Sequence, residues 1–284
     1  MIGSLQTGVS GLQQFQQDLE VIGNNIANVN TTGYKSATMQ FADTFSQNFG
    51  NLGAGGFVQV GTGVSTASID SEYTQGTINP TGTPTDLAIS GNGFFVVKDS
   101  SSGMSFVTRD GGFKLDASGS LVTSNGFHVQ GYTGTAPYTS ASTIGDLQIN
   151  TATAIAALGN TTSPAPTLTS YSIDAAGQIN VTLSDGSSGA IGQVVLQNFS
   201  NPQALSKQSN NLFSFTAAAG PLSAASAPNS SGLGSIQAGA LETSNVDLAG
   251  QMAALITAQR AFEANAKMIT TSDEVLQDLV NLKR

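Results

Sequence analysis

The N-terminal end of the chain carries apolar residues at a seven-residue interval within a polar stretch rich in Gln, Gly and Ser. A second apolar row is offset from the first by three or four residues. The main row is Leu5, Leu12, Leu19 and Ile26, and the offset row includes Phe15 and Ile22. A period of about 3.5 residues places both rows in one seam along a helix, and such a seam needs another helix to cover it.

The C-terminal end repeats this seven-residue interval. Its apolar positions are Leu248, Leu255, Phe262, Ile269 and Leu276, with Met252 in the offset row. Neither end has a helix of the same kind nearby in sequence. Pairing of the two ends is therefore the simplest arrangement, and separate packing of each end on a globular body is the alternative.

Between the two ends the pattern changes to short runs of apolar and β-branched residues, separated by turns rich in Gly, Asp and Asn. These runs predict strands at 88–90, 93–97, 105–108, 178–183 and 191–196. The sequence thus predicts an α+β protein of several parts. N- and C-terminal helices form a coiled-coil-like core domain, and a mainly antiparallel β domain lies between them.

Composition shifts along the chain suggest four segments. Residues 1–33 are predicted to form the N-terminal helix of the core domain, and 34–67 an extended Gly-rich arm. Residues 68–239 form the β-rich domain. Its part at 136–170 is low in complexity and offers few side chains to bury. Residues 240–284 supply the C-terminal helix of the core domain.

The chain has few charges, and this narrows the classes of partner. Charged residues make up 10% of its 284 residues and the net charge is −9, so no basic track for nucleic acid is expected. No apolar run is long enough to cross a membrane. The first residues lack a basic region followed by an apolar run, so a standard signal peptide is not expected either.

Candidate catalytic and metal-binding residues are scarce. The chain has no Cys and a single histidine, His128, which excludes thiolate and His-pair metal sites. Asp110 and Asp116 lack the further carboxylates of a calcium loop, so turn capping is the better interpretation. We therefore expect no enzyme activity and no cofactor. A secreted β-rich hydrolase or carbohydrate-binding protein is a distant alternative, opposed by the absence of Trp from the chain.

Several long stretches resemble the bacterial flagellar rod and hook proteins. They are VIGNNIANVNTTGYK at 21–35, DLAISGNGFF at 86–95, TRDGGF at 108–113, GALETSNVDL at 239–248 and AQRAFEANAK at 258–267. The residues that carry the signature are Asn24, Asn25, Asn28, Gly33, Asn245, Gln259 and Arg260. The resemblance covers most of the chain, roughly residues 1–45, 60–135 and 178–284.

This resemblance implies a structural subunit whose outer domain, at 136–170, is reduced or absent. Residues 61–64, GTGV, are similar to distal-rod proteins, whereas 198–205 and 210–213 are similar to hook proteins. The latter segments favour a hook subunit, which polymerises into a tubular, flexible joint that transmits torque from the motor to the filament. A distal-rod subunit is the alternative.

The resemblance also implies a location and partners. The protein is expected in the hook or basal body of the flagellum, outside the cell after export without a cleaved signal peptide. Expected partners are copies of itself, other axial proteins (distal rod, hook cap and hook–filament junction) and the flagellar export apparatus. Nucleic acid binding and membrane insertion are not expected. The apolar seam residues of both ends are the predicted assembly interface.

Overall fold

The structure is a computed structural model that describes residues 2–52, 56–134, 136–138, 143–159, 166–221 and 225–282. At residue 2 and at 47–52 and 56–60 it describes the backbone alone. Within this part of the chain, the α-helices are α1 (Ile2–Ala27), α2 (Thr151–Leu158) and α3 (Leu248–Leu282). Two short 3-10 turns lie at Pro202–Ala204 and Ala217–Ala219.

The strands are numbered in chain order. They are β1 (Ala37–Asp43), β2 (Ser46–Leu52), β3 (Gly56–Gly61), β4 (Val64–Ser71), β5 (Ile78–Pro80), β6 (Leu87–Ser90), β7 (Phe94–Lys98), β8 (Ser105–Thr108), β9 (Lys114–Leu115), β10 (Leu121–Val122), β11 (His128–Thr133), β12 (Ile144–Asp146), β13 (Leu168–Ile173), β14 (Gln178–Leu183), β15 (Ser188–Val194), β16 (Leu196–Gln197), β17 (Ser206–Lys207), β18 (Leu212–Ser214), β19 (Ser235–Ala238) and β20 (Ala240–Glu242).

The chain divides into two compact units. The helical unit comprises Met1–Val29, Lys35–Glu72 and Val246–Arg284, and the β unit comprises Asn30–Tyr34 and Tyr73–Asn245. Helices at the two ends of the chain thus flank a mainly antiparallel β region, as the fold class predicted. The coiled-coil character of the helices stays a prediction.

In the helical unit, α1 packs against α3 and also against β1 and β4. β1 pairs with β4, and β2 with β3, both antiparallel. The side chain of Thr66 on β4 donates to Gln17 Oε1 of α1 over 2.9 Å, and the rings of Phe15 and Phe41 lie 5.6 Å apart. Much of the stretch predicted as an extended arm, 34–67, therefore forms paired strands. The backbone groups that face across each two-stranded ladder are hydrogen-bonded within it.

The β unit is built on one large antiparallel sheet. Its main path runs β13-β14-β15-β11-β7-β8-β18-β17, and β9, β10, β12 and β16 pair beside it. Two small ladders, β19 with β6 and β20 with β5, complete the unit. The main core includes Leu87, Phe95 and Phe113, and the rings of Phe95 and Phe113 pack edge to face at 5.1 Å. Burial of such aromatic side chains contributes much of the stability of a core.

Helix α2 lies within the low-complexity stretch, where the sequence did not predict a helix. The side chain of Asn150 accepts a hydrogen bond from the backbone N–H of Thr153 at 2.8 Å, and the Thr153 side chain bonds back to the Asn150 N–H. Gly159 ends the helix in the left-handed conformation. Ala154 is fully buried against the main core. These caps let a short, small-residue helix form here.

Candidate assembly surface on the terminal helices

Helices α1 and α3 run antiparallel in the helical unit. Asn25 Nδ2 donates to Gln251 Oε1 over 3.1 Å near the end of α1. Toward the start of α1, Gly11 approaches the side chain of Asn265, and Gly8 approaches Ile269. As residue numbers rise on α1 they fall on α3. The simpler of the two sequence-based arrangements, in which the ends of the chain pair with each other, is therefore the one found.

The contact face of α1 combines one predicted apolar row with a row of small and polar residues. Gly8 and Ile22 belong to the first row, while Gly11 and Asn25 belong to the second, and all four are buried. An added Cβ would lie 2.8 Å from Asn265 Nδ2 at Gly11 and 3.1 Å from Ile269 Cγ1 at Gly8. The glycines therefore allow the two helix backbones to approach closely.

The predicted seam residues divide into three groups by burial. Ile22 is buried, and most of the others are half-buried: Leu5, Leu12, Phe15, Leu19, Ile26, Leu255, Phe262, Ile269 and Leu276. Leu248 and Met252 are exposed, at 44% and 45%. The described structure brings the row of Leu255, Phe262 and Ile269 to the contact side of α3, with Ala258 buried beside it. It leaves the Leu5 row at the edge of the contact.

Two apolar stripes on α3 are exposed in the single chain. Leu248, Met252 and Ile256 follow at four-residue spacing on one flank of the contact face, and Ile256 is 57% exposed. A rotation of about 100° per residue along the helix assigns a second set of exposed residues to the other flank: Met268, Val275, Leu279 and Leu282. The pairing register places the first described turn of α1 near residue 274, so the last turns of α3 extend beyond it. Exposed apolar stripes of this kind mark interaction surfaces.

The Asn-rich signature at the end of α1 has a structural role in the helical unit. Asn25 Nδ2 donates to the Ala37 carbonyl at 2.8 Å, and Asn25 Oδ1 accepts from the Ala37 N–H at 3.0 Å. Asn28 Nδ2 donates to the Asn24 carbonyl at 2.9 Å, close to the end of the helix. The amides thus satisfy backbone groups where the helix ends and β1 begins.

Asp18 introduces a charge on the contact side of α1. Burial raises the pKa of its carboxyl above the ordinary value, because desolvation disfavours the ionised form. No acidic or basic residue stands in the first or last turn of α1. The contact between α1 and α3 is therefore held by packing and amide hydrogen bonds, with Asp18 acting against it when ionised.

The remaining signature residues fall in two places. Gln259 and Arg260 are exposed on α3, where Arg260 Nη1 lies 2.9 Å from Glu263 Oε2. Gly33 and Asn245 belong to the β unit. Gly33 has a positive φ of 65° and donates its N–H to the Glu242 carbonyl at 2.9 Å. Asn245 Nδ2 donates to the Thr74 hydroxyl at 2.9 Å.

A buried ion pair lies beside this second group, and sequence reasoning missed it. Arg109 Nη1 is 3.3 Å from Glu242 Oε2, with side-chain exposures of 5% and 0%. Arg109 Nη2 also donates to the Gly91 carbonyl at 2.9 Å, and its guanidinium lies 5.2 Å from the centre of the Phe94 ring. Burial lowers the pKa of Arg109, and the neighbouring Glu242 opposes that shift. The partners are far apart in sequence, so no local pattern could have indicated the pair.

The described residues offer little to catalysis or metal binding. No group of three or more His, Asp or Glu side chains comes together in them. Asp110 Oδ1 accepts from the Gly112 N–H at 3.1 Å, as expected of a turn-capping residue. His128 Nδ1 is 3.5 Å from Asp146 Oδ2. None of the described helices combines the length and hydrophobicity needed to cross a bilayer.

Comparison with known families matches three parts of the chain. Residues 5–35 match the family described as "Flagella basal body rod protein". Residues 88–181 match "Flagellar hook protein FlgE/F/G D1 domain", and 237–282 match "Flagellar basal body rod FlgEFG protein C-terminal".

Similar proteins extend over the whole chain. The flagellar basal-body rod protein FlgG of Bacillus subtilis is 38% identical over 291 aligned positions, which cover 100% of both chains. FlgG of Borreliella burgdorferi is 34% identical, again over 100% of both chains. The flagellar hook protein FlgE of Salmonella typhimurium is 28% identical over 414 positions, which cover 99% of this chain and 100% of that protein.

Among solved structures, the Helicobacter pylori flagellar hook protein FlgE2 aligns with 58% of this chain and 100% of its own. The TM-score is 0.44 and the identity 11%. The family follows from the sequence relatives. This is a structural protein of the bacterial flagellum, of the axial class. The chain belongs to the flagellar rod and hook protein family, so the resemblance seen in its signature stretches is confirmed.

Proposed function

We propose that the chain is a subunit of the distal rod, which polymerises with copies of itself into a stiff axial tube. The observation that supports this best is the end-to-end match with rod proteins at 38% identity over 291 positions. The match with the hook protein is weaker and spans 414 positions, far more than the 284 residues of this chain. That hook protein therefore contains many residues with no counterpart here.

The hook interpretation drawn from residues 198–205 and 210–213 is less well supported, and there is a physical reason. Phe199, Leu205 and Phe213 are buried together in a second core cluster of the β unit. The identity of core residues reflects the fold of a chain, and related subunits share that fold. Their likeness to hook proteins is therefore weak evidence for the role of the subunit in the flagellum.

The exposed apolar stripes on α3 supply the contacts of the proposed polymer. Each subunit presents Leu248, Met252 and Ile256 on one flank of its helix pair. Starting from the contact face of each helix, rotation in the same sense about its own axis leads to the same side of an antiparallel pair. This places Leu19 and Ile26 of α1 beside that stripe. Contacts of one surface with a different surface of the next copy do not close on themselves, and they give an open helical filament.

The partners proposed for this subunit follow from its place in the tube. Copies of the same chain come first, and the adjoining axial proteins of the rod and hook are next. The export apparatus would deliver the chain to the growing end. The hook-cap and hook–filament-junction partners apply only if the subunit forms the hook.

Electron microscopy of flagella carrying a labelled copy tests the proposal. Label in a straight segment within the cell envelope supports a rod subunit. Label along a curved segment outside the envelope would instead support a hook subunit. Absence of label from both segments would contradict any axial role.

A further inference from the structure

The chain passes between the two units at four points, and at each point one of the two adjoining residues belongs to the β unit. The boundaries fall at residues 30 and 34, at 73 and at 245. The residues next to them form three segments, 30–34, 73–77 and 240–245, here called the connecting segments. Any force carried along the covalent chain from one unit to the other must pass through them.

Hydrogen bonds tie the three connecting segments to one another. The Gly33 N–H donates to the Glu242 carbonyl at 2.9 Å, which joins the first segment to the third. The Thr243 N–H donates to the Thr77 carbonyl, also at 2.9 Å, which joins the third to the second. Asn245 Nδ2 adds a bond to the Thr74 hydroxyl. The three segments therefore lie side by side.

The buried ion pair of Arg109 and Glu242 stands at the centre of this arrangement. Glu242 Oε1 accepts the Gly76 N–H at 2.9 Å, while Glu242 Oε2 meets Arg109. The carboxylate of Glu242, a residue of the third segment, thus also accepts a hydrogen bond from the second segment.

Arg109 reaches the first segment through its backbone. A Cβ added to Gly33 would lie 2.7 Å from the Arg109 carbonyl carbon and 2.6 Å from the Asp110 N–H nitrogen, so the two chains are in direct contact. Thr32 also donates to Asp110 Oδ1 at 2.8 Å.

We propose that the Arg109–Glu242 pair is a clamp that makes the three connecting segments open and close as one cooperative group. Both charges are buried, so their attraction is weakly screened, and removing Glu242 would take away the carboxylate that faces the Arg109 guanidinium. The pair thereby couples segments that are more than 160 residues apart along the chain. This inference concerns the isolated chain and does not depend on whether the subunit belongs to the rod or the hook.

Native-state hydrogen exchange on the full-length chain tests the clamp. In the unaltered protein, the amides of Gly33, Gly76 and Thr243 should have protection factors within about threefold of one another, with a common dependence on denaturant. Protection factors that differ by more than about tenfold among the three amides would overturn the proposal, because the segments would then open separately.

Variants add a second, independent test. Glu242→Gln keeps the shape of the side chain but removes the negative charge that faces the buried Arg109, so protection of the three amides should fall by about a hundredfold or more. Amides of Val97 and Val129 in the central strands should keep theirs. The control Glu263→Gln breaks the exposed pair with Arg260 and should change none of them.

Loss of protection that is equal in the connecting segments and in the central strands would overturn the clamp, since the pair would then serve stability in general. Should Glu242→Gln fail to fold, the double variant Arg109→Met with Glu242→Met removes both charges together. That variant should fold and still lose the common protection of the three amides. Retention of that protection would contradict the proposal.

Discussion

Gly8 and Gly11 show how a residue that weakens an isolated helix can strengthen its packing. Each glycine costs about 1 kcal/mol of helix propensity relative to Ala. Both face α3 in the helical unit, and Gly11 leaves no room for a Cβ beside Asn265 without a shift of that side chain. By contrast, a Cβ added to Gly23 would have no neighbouring atom within 4 Å. The two kinds of glycine look alike in sequence and differ in what they face.

Substitution of these glycines by the same large residue separates the two effects. Gly11→Leu should destabilise the helix pair by about 1–3 kcal/mol, because the side chain must force α1 and α3 apart. Gly23→Leu should stabilise the chain by up to about 1 kcal/mol through helix propensity alone. Urea unfolding followed by circular dichroism measures both. Equal effects of the two changes would contradict the close approach at Gly11.

Asp18 gives the stability of the helical unit a dependence on pH. Burial raises its pKa above the ordinary value in the folded chain, so folding disfavours the ionised form. Ionisation therefore costs stability as pH rises from near the unfolded value through the raised folded value, and the cost persists above it. Lowering the pH through that window restores the lost stability.

The variant Asp18→Asn tests this sign. Near neutral pH it should unfold at a higher temperature than the unaltered chain, and the difference should shrink as the pH falls towards 4. Thermal unfolding at several pH values is the measurement. Glu20→Gln on the exposed side of α1 is the control. A difference that grows with acidity would show that the sign is wrong.

At the scale of elements, the capping of α2 accounts for a helix in a stretch of low complexity. Asn150→Ala should cost about 1 kcal/mol, because the backbone N–H of Thr153 loses its side-chain acceptor at the start of the helix. The neighbouring change Thr151→Ala removes no capping bond and should alter stability by only a few tenths of that amount. Chemical denaturation of the two variants provides the comparison. A similar loss in both would argue against the cap.

The exposed stripe on α3 leads to a prediction about assembly. Ile256→Asp should prevent polymerisation while the isolated chain keeps its helix content, since Ile256 is 57% exposed and lies outside the buried core. The control Ile256→Leu keeps an apolar side chain at this position and should polymerise normally. Sedimentation and electron microscopy distinguish the two outcomes. Normal polymers from Ile256→Asp would remove this stripe from the proposed interface.

The elements themselves were largely predictable, and the helix faces were not. Strands expected at 105–108 and 178–183 coincide with β8 and β14, because alternation and turn residues are local signals. The seven-residue repeats likewise indicated α1 and α3. However, the repeat is compatible with contact through either apolar flank of each helix. The contact between α1 and α3 is formed on the face that carries small residues such as Gly11 and Ala258. Their importance depends on a partner more than two hundred residues away.

For the whole molecule, low charge predicts how the polymer responds to salt. Only 10% of residues are charged, and the stripes on α3 are apolar, so screening should matter little. Raising sodium chloride should leave the critical concentration for assembly nearly unchanged, whereas ammonium sulfate should lower it by strengthening apolar association. Light scattering across a concentration series measures both responses. Strong inhibition of assembly by sodium chloride would indicate an interface of ion pairs instead.

The amide pair of Asn25 and Gln251 has a consequence for how the helix pair bears load. A slide of α1 by one heptad along α3 would move Asn25 from Gln251 to a position level with Ala258, away from its amide partner. A buried polar group that loses its hydrogen bond costs about 1–3 kcal/mol. Axial shear of the helix pair is therefore opposed by this hydrogen bond as well as by the packing.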